Sequence, residues 1–112
     1  METNTIISLI NCALLECDNL VAKGFYFDEK EPIVSTKKGL ILLKEELLYN
    51  PKKINLRVLR RMHDIGMSSY KEFENTPLED AILNIVNQLG KEIPYYKNLE
   101  PLRMDFNKEN PL

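Results

Sequence analysis

The 112-residue sequence has one histidine, two cysteines, four glycines and no tryptophan. Each scarcity closes off a class of chemistry. One histidine excludes a His-based metal cluster, because such sites draw on several ligands. Gly24, Gly39, Gly66 and Gly90 are scattered along the chain, so no glycine-rich loop is present to cradle phosphate. Cys12 and Cys17 stand five residues apart. On one helix their Cα atoms are roughly 8–9 Å apart on different faces, beyond the ~7 Å that a disulfide spans. Two free thiols fit a reducing compartment. No G-x-S-x-G, C-x-x-C or H-E-x-x-H motif occurs, and no cofactor is expected.

Net charge is also scarce. The formal balance is −2, which provides no overall field to attract nucleic acid or an anionic membrane. The start, Met1–Thr5, lacks the positive charge of a signal peptide. The apolar stretch Ile6–Leu15 is broken by Ser8 and Asn11 and falls short of the ~20 residues that cross a bilayer. The expectation is a cytoplasmic protein with no membrane association.

What is there is globular. The chain is 44% hydrophobic and 29% charged, a composition that can bury a core. Its length suits one domain. Four segments carry a helical period. Over 4–23, Ile6, Ile10, Ala13, Leu14, Cys17, Leu20 and Val21 share one face, and Gly24 suits a left-handed stop. Over 36–49, with Ser35 or Thr36 as cap, Leu40, Leu43 and Leu47 form an apolar row with Ile41 and Leu48 beside it. Leu42 and Tyr49 lie on the far side, a pattern that suits a centrally placed helix. Asn50-Pro51 ends it. Over 56–65, Asn55 caps and Gly66 stops a helix burying Leu56, Val58, Leu59, Met62 and Ile65; alternation at Ile54, Leu56 and Val58 leaves a strand as the alternative. Over 77–89, Thr76-Pro77-Leu78-Glu79 is a capping box with proline in its first turn, and Gly90 is the expected stop.

The connecting segments are less regular. Ser68–Glu74 reads as one extra helical turn carrying Tyr70 and Phe73 inward. Phe25 and Phe27 share one strand face, and Leu102, Met104 and Phe106 alternate with polar residues. The fold class that follows is mainly α: a four- to five-helix single domain over 1–106, with a short two-stranded β-ribbon pairing 25–27 with 102–106 and a frayed tail at 107–112.

Few side chains suggest chemistry. His63-Asp64 is similar to the metal-binding pair of HD-type phosphohydrolases, but the further histidines of such sites have no counterpart here. His63 could act as a general base backed by a carboxylate. A structural histidine at the edge of the apolar arc is the preferred reading. Cys17 falls on the core face, where a thiol packs as a small hydrophobe. Lys52, Lys53, Arg57, Arg60 and Arg61 form a basic run. On a helix the three arginines cover one solvent face, suited to carboxylates or phosphates, and Arg60 can pair with Asp64 one turn on. Tyr95 and Tyr96 either lid the core or anchor a partner, and the lid is preferred.

The leading functional expectation is a protein–protein interaction module of the immunity or antitoxin kind, not an enzyme. Its candidate binding residues are Arg57, Arg60, Arg61, His63 and Asp64. One alternative is a nucleic-acid-binding protein using the arginine face, which the absence of a helix-turn-helix pattern disfavours. The other is a small enzyme, or enzyme subunit, using His63 with Asp64. Oligomeric state is left open.

Overall fold

A computed structural model describes residues 3–24, 32–93, 96 and 99. Within them the chain forms four helices: α1 (Thr3–Ala22), α2 (Pro32–Tyr49), α3 (Leu56–Glu72) and α4 (Pro77–Glu92). α1 packs against α2 and α4, and α3 packs against the same two, so the helices form a ring. Asp18 accepts a hydrogen bond from Lys37 while Asn11 accepts one from Lys44. Numbers that fall along α1 thus rise along α2, so the two run antiparallel. Short connections set the same alternation through α3 and α4. The core is one cluster fed by every helix.

α1 buries Ile6, Ile10, Ala13, Cys17 and Leu20, the three- and four-residue spacing of a single apolar stripe. It ends where Gly24 adopts φ +77° and donates its N–H to the Val21 carbonyl. Val21, expected on the buried face, is exposed near this end. α1, at 20 residues, is long and apolar enough to cross a membrane by length and composition, which the shorter stretch Ile6–Leu15 understates. In this bundle its stripe faces the core.

α2 begins four residues before the expected Thr36. Pro32 opens it, since proline is favoured in a first turn. Ile33 and Thr36 are buried and extend the stripe through Gly39, Leu40, Leu43 and Leu47. Thr36 is therefore a core-facing residue, not a cap.

α3 is longer than the expected 56–65. It runs through Gly66 to Glu72, so Ser68–Glu72 continues it rather than forming a fifth element, and Phe73 and Glu74 lie past its end. The reason is packing: a Cβ on Gly66 would lie 2.7 Å from Val86 Cγ2 of α4. This glycine lets two helices approach and does not end one. Gly39 does the same between α2 and α3, where a Cβ would collide with Ile65 Cδ1. Asn55 caps α3 as expected, its side chain accepting the Arg57 N–H at 2.8 Å. Phe73 is buried, but Tyr70, expected inward, is exposed.

The α3–α4 turn follows the capping box closely. Thr76 Oγ1 accepts the Glu79 N–H at 3.3 Å and donates to the Phe73 carbonyl at 2.7 Å. Glu79 reaches back one residue further than a standard box, to the Asn75 N–H, because the Thr76 N–H is taken by the Phe73 carbonyl. Asn75 sits at φ +62°, a conformation asparagine tolerates. α4 continues past Gly90 to Glu92, and the Ile93 N–H closes on the Leu89 carbonyl. Tyr96 is completely buried against the bundle, as a lid. The described residues contain no strand. The ribbon expected between 25–27 and 102–106, and the tail at 107–112, lie outside them.

Candidate interaction surface

The five candidate residues all lie on α3, but the bundle sends them in different directions. Arg57, in the first turn, is exposed. Arg60 is half-buried and borders a shallow depression of about 520 Å³ together with Glu46, Lys53, Asn55 and Arg57. Glu46 is committed inside the chain: it accepts the Asn55 N–H at 2.7 Å and the Asn50 amide at 3.0 Å. Its carboxylate therefore stands among the basic groups.

Arg61 turns towards α2 and donates from Nη2 to the Ser35 carbonyl at 3.1 Å. It borders a separate depression of about 380 Å³ with Ser35, Asp64, Ser68 and Glu72. The expected single arginine face is thus divided. Arg57 and Arg60 face one depression, while Arg61 serves the α2–α3 contact beside two carboxylates. Phosphate binding, which needs converging cations, loses one of its three arginines and meets Glu46, Asp64 and Glu72.

His63 packs against Tyr96, which follows α4 in the chain. Its ring meets Tyr96 edge to face, with centroids 5.6 Å apart and planes at 60°. His63 Nδ1 and the Tyr96 hydroxyl are buried with no hydrogen-bond partner among the described residues. Burial, followed by the nearby Asp64 charge, pushes the Tyr96 hydroxyl pKa well above its ordinary 10.0. The phenol is a neutral packing group at any physiological pH. Asp64, whose charge reaches Tyr96, also borders the α2–α3 depression, which His63 does not line. A base–carboxylate pair acting on one substrate needs both groups at one opening; Asp64 lines this depression, whereas His63 does not and has its Nδ1 buried.

The cysteines separate as the helical wheel implies. Cys12 is exposed and Cys17 is buried, both as free thiols. Burial raises the Cys17 pKa from 9.0 to about 11, with Lys37 opposing the shift. A thiol so held is not a nucleophile at neutral pH. Lys37 itself is held above its ordinary value by its hydrogen bond to Asp18, 2.7 Å away.

The most distinctive surface is one that sequence reasoning misplaced. The far side of α2 carries Ile41, Leu42, Leu48 and Tyr49, which are 38%, 40%, 51% and 77% exposed. The two-sided apolar pattern suggested a central helix, but α2 is one of four equivalent staves. Its inner stripe supplies the core and its outer stripe meets solvent. The other large exposed apolar residues are Leu15 and Val21 on α1, Leu56, Met67 and Tyr70 on α3, and Leu83 on α4, fewer on any one helix than the four on α2. The signal was present in the sequence as an apolar excess beyond one stripe.

The edges of this outer face are tied to neighbours. Lys37 and Lys44 reach α1 on one side, and Ser35 accepts Arg61 of α3 on the other. Between those edges run the exposed positions Lys38, Ile41, Leu42, Glu45, Leu48 and Tyr49. Comparison with known families, curated proteins and solved structures finds no match for this chain.

Proposed function

We propose that this protein is a protein–protein interaction module that works in the cytoplasm, of the immunity or antitoxin kind in its size and mixed charge. The observation that carries the reading is the outer face of α2, where four large apolar side chains are exposed on one helix between charged residues. Apolar groups clustered at a solvent face are the usual mark of a contact surface. Charged residues around them add on-rate and specificity. Arg57 and Arg60, in the adjoining depression beside the end of α2, extend that surface with groups suited to carboxylates on a partner.

Site-specific photo-crosslinking tests the reading. Tyr49→p-benzoylphenylalanine, expressed in the native host, is expected to yield a discrete covalent protein adduct on irradiation. The same substitution at Leu83, on the outer side of α4, is the control and is expected to yield none. Absence of any adduct from position 49 overturns the reading.

A further inference from the structure

We propose that the partner seated on the outer face of α2 is a second copy of this chain, docked antiparallel about a two-fold axis passing between Ile41 and Leu42. The inference rests on the interaction-module reading and names its partner.

Two charges on this face have no partner among the described residues. Lys38 and Glu45 are exposed, and neither makes an ion pair or hydrogen bond among the described residues. Their neighbours differ: Lys37 pairs with Asp18, and Lys44 donates to Asn11. Lys38 and Glu45 cannot satisfy each other along α2, because seven residues of helix separate them by about 10.5 Å. They do stand symmetrically, one before and one after the apolar pair Ile41–Leu42.

Antiparallel docking turns that symmetry into contact. With the axis between Ile41 and Leu42, Lys38 of each copy lies opposite Glu45 of the other. The two ion pairs flank an apolar centre in which Ile41 meets Leu42. Leu48 and Tyr49 then lie over Val34 and Ser35 of the second copy and cover the remaining apolar area. A two-fold interface uses the same patch twice and must be self-complementary. A parallel pairing fails that requirement, since it sets Lys38 against Lys38 and Glu45 against Glu45. A foreign partner would have to present the mirrored order of one anion, an apolar centre and one cation at the same spacing, which is what this face itself presents.

The area is that of one helix face. Eighteen residues extend about 27 Å, which places the contact at the small end of specific interfaces. The expected behaviour is therefore a reversible monomer–dimer equilibrium rather than an obligate dimer.

Sedimentation equilibrium of the full chain over micromolar to sub-millimolar concentration is the test. The wild-type mass is expected to rise with concentration from 13.1 kDa towards about twice that value for a two-fold dimer. Lys38→Glu and Glu45→Lys each set like charges opposite one another and are expected to weaken dimerisation about tenfold. Mixing the two variants in equal amounts rebuilds both ion pairs and is expected to restore association, as is the double variant K38E/E45K. Both positions are exposed, and unchanged circular dichroism and melting temperature confirm that each variant folds. A wild type that stays monomeric throughout overturns the proposal, as does a single variant that associates like wild type or a mixture that does not recover. The photo-crosslink at position 49 separates this proposal from the reading beneath it. An adduct at twice the chain mass supports both. An adduct with a different protein only, together with a monomeric wild type, overturns the second copy and leaves the module reading standing.

Discussion

α2 and α4 are of similar length and both are rich in leucine and isoleucine, yet they use those residues differently. On α4, Leu78, Ala81, Ile82, Ile85 and Leu89 form one stripe and all are buried, with Leu83 alone strongly exposed among its large apolar residues. On α2, Ile33, Leu40, Leu43 and Leu47 make an equivalent stripe, but Ile41, Leu42, Leu48 and Tyr49 form a second that faces solvent. A four-helix ring has room for one inward stripe per helix, because each stave touches only its two neighbours and the core. Apolar residues beyond that stripe do no work in the monomer's core. The difference shows how a surplus of hydrophobicity, set against a known architecture, identifies a surface and not a centre.

The sharpest test compares the two faces of α2 directly. Leu40→Ala, on the fully buried side, is expected to cost about 2–5 kcal/mol through lost transfer energy and the cavity left behind. Leu42→Ala, two residues away on the outer side, is expected to stay within about 0.5 kcal/mol. Urea denaturation at low protein concentration, where any association is absent, measures both. Equal losses at the two positions would break the distinction between the faces.

The next largest effect concerns how closely the staves approach. Gly66→Ala removes a helix-weakening glycine, worth about 1 kcal/mol in isolation. Here it is expected to destabilise by about 1–3 kcal/mol, because the new Cβ meets Val86 Cγ2 at 2.7 Å and valine is stiff about χ1. The double variant G66A/V86A is expected to lose less than the sum of its parts, a coupling that a double-mutant cycle reads.

The well-marked start of α4 offers a smaller contrast with α2. Thr76→Ala removes the acceptor of the Glu79 N–H and is expected to cost about 1 kcal/mol. Ser35→Ala, at one of the two positions that the sequence offers as a cap for α2, is expected to cost almost nothing from its side chain, since it is the Ser35 backbone carbonyl that accepts Arg61. Thermal melts of the two variants check this.

The smallest effect probes the buried side of the α1–α2 contact by pH. The Cys17 thiol has its folded pKa raised to about 11 from 9.0. Protonated thiol is the form the fold prefers, so its contribution is full below pH 9 and is lost as pH rises towards the folded value. Between pH 9 and pH 10 that loss is about 1 kcal/mol. Cys17→Ala is expected to flatten the stability profile over this interval, and Cys12→Ala, at an exposed site, to leave it unchanged. Denaturant midpoints at several pH values decide the matter.

Much of the fold was legible along the chain. The stripe of α1, its Gly24 stop and the Thr76–Glu79 box are local signals, with partners one turn apart, and the structure carries them almost unchanged. The misreadings are all long-range. Gly66 and Gly90 resemble helix stops in sequence, and only the nearness of Val86 gives Gly66 another purpose. Pro32 and Ile33 precede the cap expected at Ser35 or Thr36, and only the core that Ile33 enters draws them into α2. The candidate site was less legible. Arg57, Arg60, Arg61, His63 and Asp64 share a short helical stretch, but a helical wheel does not show which sides neighbouring helices occupy. α2 draws Arg61 away, the turn after α4 brings Tyr96 to His63, and Glu46 from another helix enters the arginine surface.

The sequence by itself determined that four amphipathic helices would form and where two of them start or end, because periodicity, caps and left-handed stops act within a few residues. It also determined the absence of a histidine metal cluster, by count. Tertiary structure alone decided which of the two apolar sides of α2 entered the core and which was left in water. That choice depends on where the other three helices lie, and no spacing within α2 contains their positions.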